Sequence, residues 1–134
     1  MSGAAFELQK AIVTALVADT ALTALVGSRI YDETPRAPAF PYVVLSQTTV
    51  ADWSTSTETG AEHQLTIDAW SRQGGKREAY AIADAIVAAL DDVALTVSGQ
   101  ALVNLRFKFT ETRRDSDGIT WHAALRFRAV TEPA

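Results

Sequence analysis

The sequence predicts an α+β fold: an antiparallel-rich β-sheet with helices packed on one face, in the order α-α-β-β-β-α-β-β-β. Three observations predict it. Residues 76–90 place apolar side chains at helical spacing, whereas residues 63–70 and 103–128 alternate apolar and polar with period two. Strands also come in runs between helices instead of alternating with them, which favours antiparallel pairing. The chain has 134 residues, which fits a single domain, 1–134, around one core.

The first helix runs from a Ser2 cap to about Ala18. Ala5, Leu8, Ile12 and Leu16 form its apolar stripe, with Glu7, Lys10 and Thr14 facing away. Asp19 caps a short second helix, "TALTALV", which Gly27 ends. An extended piece follows around Ile30-Tyr31. Pro35, Pro38 and Pro41 then exclude helix and central strand, because proline has no N–H and a fixed φ. Tyr42 to about Ala51 reads as a strand rich in β-formers. "DWSTSTETGAE", Asp52 to Glu62, has no apolar period and reads as a long exposed loop or the splayed end of a hairpin.

"HQLTIDAW" puts His63, Leu65, Ile67 and Ala69 on one face and Gln64, Thr66 and Asp68 on the other. After "RQGG", the helix from Lys76 to about Leu90 buries Ala79, Ile82, Ala83, Ile86 and Leu90. "VALTV" is expected as a short strand turning at Ser98-Gly99. The chain closes with a long hairpin. Val103, Leu105, Phe107 and Phe109 alternate with polar residues on the way out, as do Ile119, Trp121, Ala123, Leu125 and Phe127 on the return. Both apolar sets are odd-numbered, so opposed positions must sum to an even number. A Ser116-Asp117-Gly118 loop satisfies this, pairing Asp115 with Ile119 and Phe107 with Phe127.

Composition narrows the function. Hydrophobic content of 48% and charged content of 21% suit a globular domain. No apolar run approaches the roughly 18 residues of a membrane span, and Met1–Glu7 lacks the pattern of a signal peptide. No membrane partner is expected. The absence of cysteine excludes disulfides, thiol catalysis and zinc–thiolate sites, and fits synthesis in a reducing cytoplasm. The net charge of −4 is uneven: residues 1–100 hold six Lys/Arg against twelve Asp/Glu, and residues 101–134 hold six against four. Any contact with nucleic acid would therefore be local.

Catalytic patterns are missing. His63 and His122 read as structural or surface residues, because the chain contains no HxxxH, HxH or CxxC. Asp91-Asp92, Asp115 and Asp117 flank a helix end and a turn, where aspartate bonds nearby N–H groups. "RQGGK" lacks both phosphate-binding spacings, and no serine sits in GxSxG. No enzymatic activity, metal or cofactor is expected.

One constellation is unusual. In the register above, Arg106 lies opposite Arg128 and Lys108 opposite Arg126, and like charges directly across a sheet repel. Asp68 and Glu62, on polar-face parity, are one source of neutralisation. An acidic surface on another subunit and nucleic-acid phosphates are two more, and simple solvation of the four cations is the remaining alternative. Trp53 begins the polar loop and Trp70 falls on polar parity, so each is an edge contact or an interface anchor; Trp121 is expected in the core.

The segments "ALTALVGSRIYDETPRAPAFPYVVL" and "LTIDAWSRQGGKREAYAIADAIVAAL", followed by the amphipathic hairpin, resemble one family in their order and spacing. It is that of the small tail-completion, or tail terminator, proteins of long-tailed phages and phage-like gene transfer particles. The resemblance spans about Ala15 to Ala129. It implies a structural virion protein, made in the host cytoplasm and located in the particle's tail. Its implied form is a homo-oligomeric ring, typically a hexamer, that caps the tail tube protein, ends polymerisation and joins the head-side connector. DNA would pass transiently through the lumen. On that reading Pro35, Pro38, Pro41, Trp53, Trp70, Arg106, Lys108, Arg126 and Arg128 are the candidate interface residues. The alternative is a small nucleic-acid-binding module that uses the basic hairpin face. A small hydrolase or ligand-binding domain would need a pocket with converging polar groups.

Overall fold

The computed structural model describes residues 3–134. Helix α1 (Ala4–Ala18) starts after Gly3, which makes no side-chain cap bond; the expected cap at Ser2 lies outside the described residues. Leu8, Ile12 and Leu16 are buried as the periodicity predicts. Glu7 departs from the expected outward orientation. It is buried beside the Ala94–Thr96 segment and pairs with Lys10 at 3.1 Å. Helix α2 (Thr20–Val26) starts at Asp19, whose carboxylate accepts the Leu22 N–H at 2.9 Å, and ends at Gly27 with φ 61°.

Five strands form one mixed sheet in the order β1-β2-β3-β5-β4: β1 (Ile30–Tyr31), β2 (Tyr42–Asp52), β3 (Ala61–Ser71), β4 (Gln100–Arg114) and β5 (Trp121–Pro133). Only β1 and β2 pair in parallel. That pair accounts for the prolines. Parallel neighbours require the chain to run back before it re-enters the sheet. Pro35, Pro38 and Pro41 occupy that return and keep it from pairing. Pro41 is anchored by its carbonyl, which accepts Arg29 Nε at 2.7 Å.

Helix α3 (Arg77–Leu90) lies across β3, β4 and β5. Its buried positions are Ala79, Ile82, Ala83, Ala85, Ile86 and Leu90, the predicted stripe with Ala85 added. All three helices pack with the inner face of the sheet into a single core that includes Leu65, Ile67, Leu105, Leu125 and Phe127. Trp121 packs partly buried against it.

The structure corrects four local expectations. "VALTV" contributes only the bridge Val97↔Gln100. The β4 edge it would have joined is taken by Asp91 and Asp92: Asp91 Oδ1 accepts the Phe107 N–H at 2.8 Å, and the Asp92 N–H donates to Leu105 O at 2.8 Å. Strands β2 and β3 extend further than predicted, leaving only residues 53–60 as the loop between them.

The hairpin tip is the third correction. Arg114 pairs with Trp121, and the Asp115 N–H donates to Thr120 O at 2.7 Å, so the loop holds four residues, 116–119. Asp117 makes this loop preferable, because its carboxylate accepts the N–H groups of Ile119 and Thr120, each at 2.9 Å, and the Thr120 hydroxyl at 2.6 Å. These bonds hold the Asp117 carboxyl down at about 2. Ile119, expected on the apolar face, is exposed in the turn.

Register shifts inside β4 are the fourth. Arg106 does face Arg128 and Phe107 does face Phe127, but Arg126 faces Phe109, not Lys108. Lys108 sits in a bulge, as does Val103. Each bulge inserts one residue and reverses the alternation beyond it. The Lys108 bulge removes one of the two like-charge oppositions. It also turns Phe109 away from the core, where half of it is exposed.

Candidate functional site

The outer face of the sheet, opposite the helices, carries most of the candidate residues. It is assembled from even-numbered positions on β3 and β5, which are Glu62, Gln64, Thr66, Asp68 and Trp70 against Val130, Arg128, Arg126, Ala124 and His122. Arg128 reaches diagonally to the neighbouring strand, whereas Arg126 bonds the residue directly opposite. Arg128 Nε donates to Glu62 Oε2 at 2.6 Å, and its guanidinium lies 5.6 Å from the Trp53 ring. Arg126 Nε donates to Thr66 Oγ1 at 3.1 Å and lies 5.7 Å from the Phe109 ring. Arg106 turns to Asp91 at 3.2 Å.

Of the two acidic residues expected to neutralise the cations, Glu62 does so. Asp68 instead bonds His122 Nε2 at 2.6 Å. Burial works to raise the Asp68 carboxyl, but hydrogen bonds from His122 and Ser46 outweigh it and hold it below the usual carboxylate range.

Trp70 stands in an aromatic row across β2, β3 and β5. Its ring stacks on His122 at 3.9 Å and on Tyr42 at 6.3 Å, and Phe40 meets Tyr42 edge-on at 5.0 Å. Arg72 covers Phe40 at 4.1 Å. The row therefore ties the end of the proline segment to the sheet. Trp53 remains half exposed, Pro35 is exposed, and Pro38 and Pro41 are half-buried. The candidates thus divide into a basic–aromatic patch of Trp53, Arg106, Lys108, Arg126 and Arg128, and a separate group of Trp70 with the proline segment.

Sequence reasoning missed Phe109 and the row Phe40–Tyr42–Trp70–His122. The bulge exposes the first, and cross-strand register aligns the second. Neither leaves a mark on the linear alternation.

His63 projects to the inner side, fully buried, with Nε2 2.9 Å from Thr131 Oγ1 and no partner for Nδ1 among the described residues. Burial lowers its pKa below the ordinary 6.5. The unfolded chain therefore takes up the proton first as pH falls, and stability is lost below that value. Thermal melting is expected to drop between about pH 7 and about pH 5, and His63→Gln to flatten that slope. An unchanged slope in the variant would assign it elsewhere.

Among the described residues, no cluster of three or more His, Asp or Glu side chains is placed to hold a metal ion. No single helix among them is long and apolar enough to cross a membrane. Residues 10–132 match the family described as Tail completion protein gp17. Among solved structures, the chain is similar to one in the virion of a native gene transfer agent (GTA) particle. That similarity has 36% identity and a TM-score of 0.90, and covers 98% of this chain and 99% of that one. No curated protein matches the sequence.

Proposed function

The chain belongs to the Tail completion protein gp17 family, and from that membership we propose that it forms the ring that caps a finished tail tube. It is a structural component of a phage-like tail. The observation that carries this reading is the near-complete overlap, in sequence and in fold, with a chain built into a gene transfer agent virion. Capping ends polymerisation of the tube protein and presents a surface to the head-side connector. A tube end has rotational symmetry, and head-to-tail contacts that close produce rings. Six copies are the proposed number.

Neither catalysis nor a cofactor belongs to this role. Purified protein is expected to hydrolyse no phosphoester or peptide substrate. Turnover abolished by one substitution would overturn that statement.

The deciding experiment is omission. Particles assembled without this protein should carry tails that are abnormally long or unattached to heads, and adding the purified protein back should restore attachment. Normal, head-joined tails in its absence would refute the proposal. The basic–aromatic patch of Arg126, Arg128, Trp53 and Phe109 supports a second reading, nucleic-acid binding. DNA binding by the isolated protein that weakens steeply with salt would favour it.

A further inference from the structure

Both edges of the sheet are covered over one half and open over the other. On β2, β1 pairs with Val43 and Val44, so among the described residues positions 46–52 have no strand beside them. On β4, Asp91 and Asp92 cover Leu105 and Phe107, and the stretch beyond Lys108 up to Arg114 is open. These open halves lie at diagonally opposite corners: Tyr42, Trp70, His122 and Arg113 share one row at one end of the sheet, whereas Asp52 lies at the other. Residues 46–52 contain one charged residue and no proline, so their sequence does little to protect the edge from pairing.

We propose that the open edge of β2 in one copy pairs antiparallel with the open edge of β4 in the next, and that this head-to-tail strand pairing closes the ring. The proposal rests on the ring reading above and supplies its contact.

Backbone direction supports it. Val43 turns its N–H outward to Arg29 O at 3.0 Å. Carried past the bulge at Ser46, the alternation turns Thr48, Val50 and Asp52 outward. On β4, Leu105 O and the Phe107 N–H point outward, and past the bulge at Lys108 the outward positions are Thr110, Thr112 and Arg114. The inward Asp115 N–H, bonded to Thr120 O, agrees with that phase.

Side-chain faces agree as well. Thr48, Val50 and Asp52 oppose Leu65, His63 and Ala61, while Thr110, Thr112 and Arg114 oppose Leu125, Ala123 and Trp121. Both sets project to the helix side, so pairing them keeps the helices of every copy on the same side of a continuous sheet. Val50 then meets Thr112, Asp52 meets Thr110 and Thr48 meets Arg114. Thr49 meets Arg113 and Ala51 meets Glu111 between them. No like charges are opposed.

The stagger suits closure. Thr110 shares a row with Leu125, Ile67 and Leu45, and Asp52 lies about six residues further along β2. A shift of roughly six residues at ~3.3 Å across four strands at ~4.8 Å is a tilt of roughly 45°, close to that at which sheets close into barrels.

The chain has no cysteine, so an introduced pair reports without background. Thr49 and Arg113 would be opposed at a non-hydrogen-bonded position, where Cα atoms stand about 4.5 Å apart and a disulfide fits. Particles carrying T49C/R113C, once oxidised, are expected to yield a ladder of reducible covalent multimers, and each single variant none beyond a dimer. Val50→Pro removes only an outward N–H, sparing the subunit's own ladder. It should melt close to the parent and lose most completed tails. If Val50→Pro melts early, the cross-link alone decides. Rings visible at tail ends with no cross-linked multimers would overturn the edge pairing and leave the ring intact, as would a folded Val50→Pro that completes tails normally. Tail ends carrying no ring of this protein would overturn both.

Discussion

Phe127→Ala is expected to destabilise the isolated subunit by about 3–5 kcal/mol, the usual cost of emptying a buried aromatic site. Phe127 is fully buried at the centre of the core. It lies opposite Leu65 on β3 and Phe107 on β4, and meets the Phe107 ring edge-on at 5.6 Å. The lost transfer free energy and the cavity add, because strands on both sides keep the walls from collapsing. For a domain of this size a change of that magnitude lowers the melting temperature by very roughly 10–20 °C. Phe109→Ala, on the same strand as Phe107 but exposed beyond the bulge, should cost far less. A Phe127→Ala loss no larger than that of Phe109→Ala would mean the core is centred elsewhere.

The second large effect is on assembly. Arg128→Ala and Lys108→Ala are both expected to reduce the number of completed tails, but to differ in stability. The Arg128 side chain is only 28% exposed and binds both Glu62 and Trp53. Discounting for its residual solvent contact, its loss should cost the subunit about 1 kcal/mol. Lys108 lies in a bulge on the surface, and its removal should change stability by no more than about 0.5 kcal/mol. Thermal melting of each variant, with tails counted from the same preparation, separates the two effects. If only Arg128→Ala reduces completed tails, in proportion to its melting, the cations serve the fold. If Lys108→Ala reduces tails at unchanged melting, the face is an assembly surface. The same count with Arg126→Ala tests the patch further, because among the described residues Arg126 bonds Thr66 and lies against Phe109, with no acidic partner.

The faces of α3, β3 and β5 were legible because their patterns are local. Ile82, Ile86 and Leu90 recur at helical spacing, and Leu65, Ile67, Leu125 and Phe127 alternate, so burial of one face needed no knowledge of the partner. Asp19 and Gly27 likewise announce a cap and a stop through their own chemistry. The family resemblance rested on the same local features in order.

The β4 register could not be read this way. Its apolar residues alternate without interruption from Val103 to Phe109, yet bulges at Val103 and Lys108 break the pairing. Contacts distant in sequence accompany them: Asp91 and Asp92 at the end of α3 hold Leu105 and Phe107. At the hairpin tip, Asp117 satisfies a four-residue turn that parity disfavoured. The candidate site depends on those shifts, since they separate Lys108 from Arg126 and bring Phe109 beneath it. The fold class, the buried faces of α3, β3 and β5 and the basic character of the closing hairpin follow from residue type and spacing along the chain, and so were present in the sequence alone. Which cations meet which partners, and which strand edges stay open, emerged with the folded sheet. Those depend on register and strand order, which energies between distant segments set.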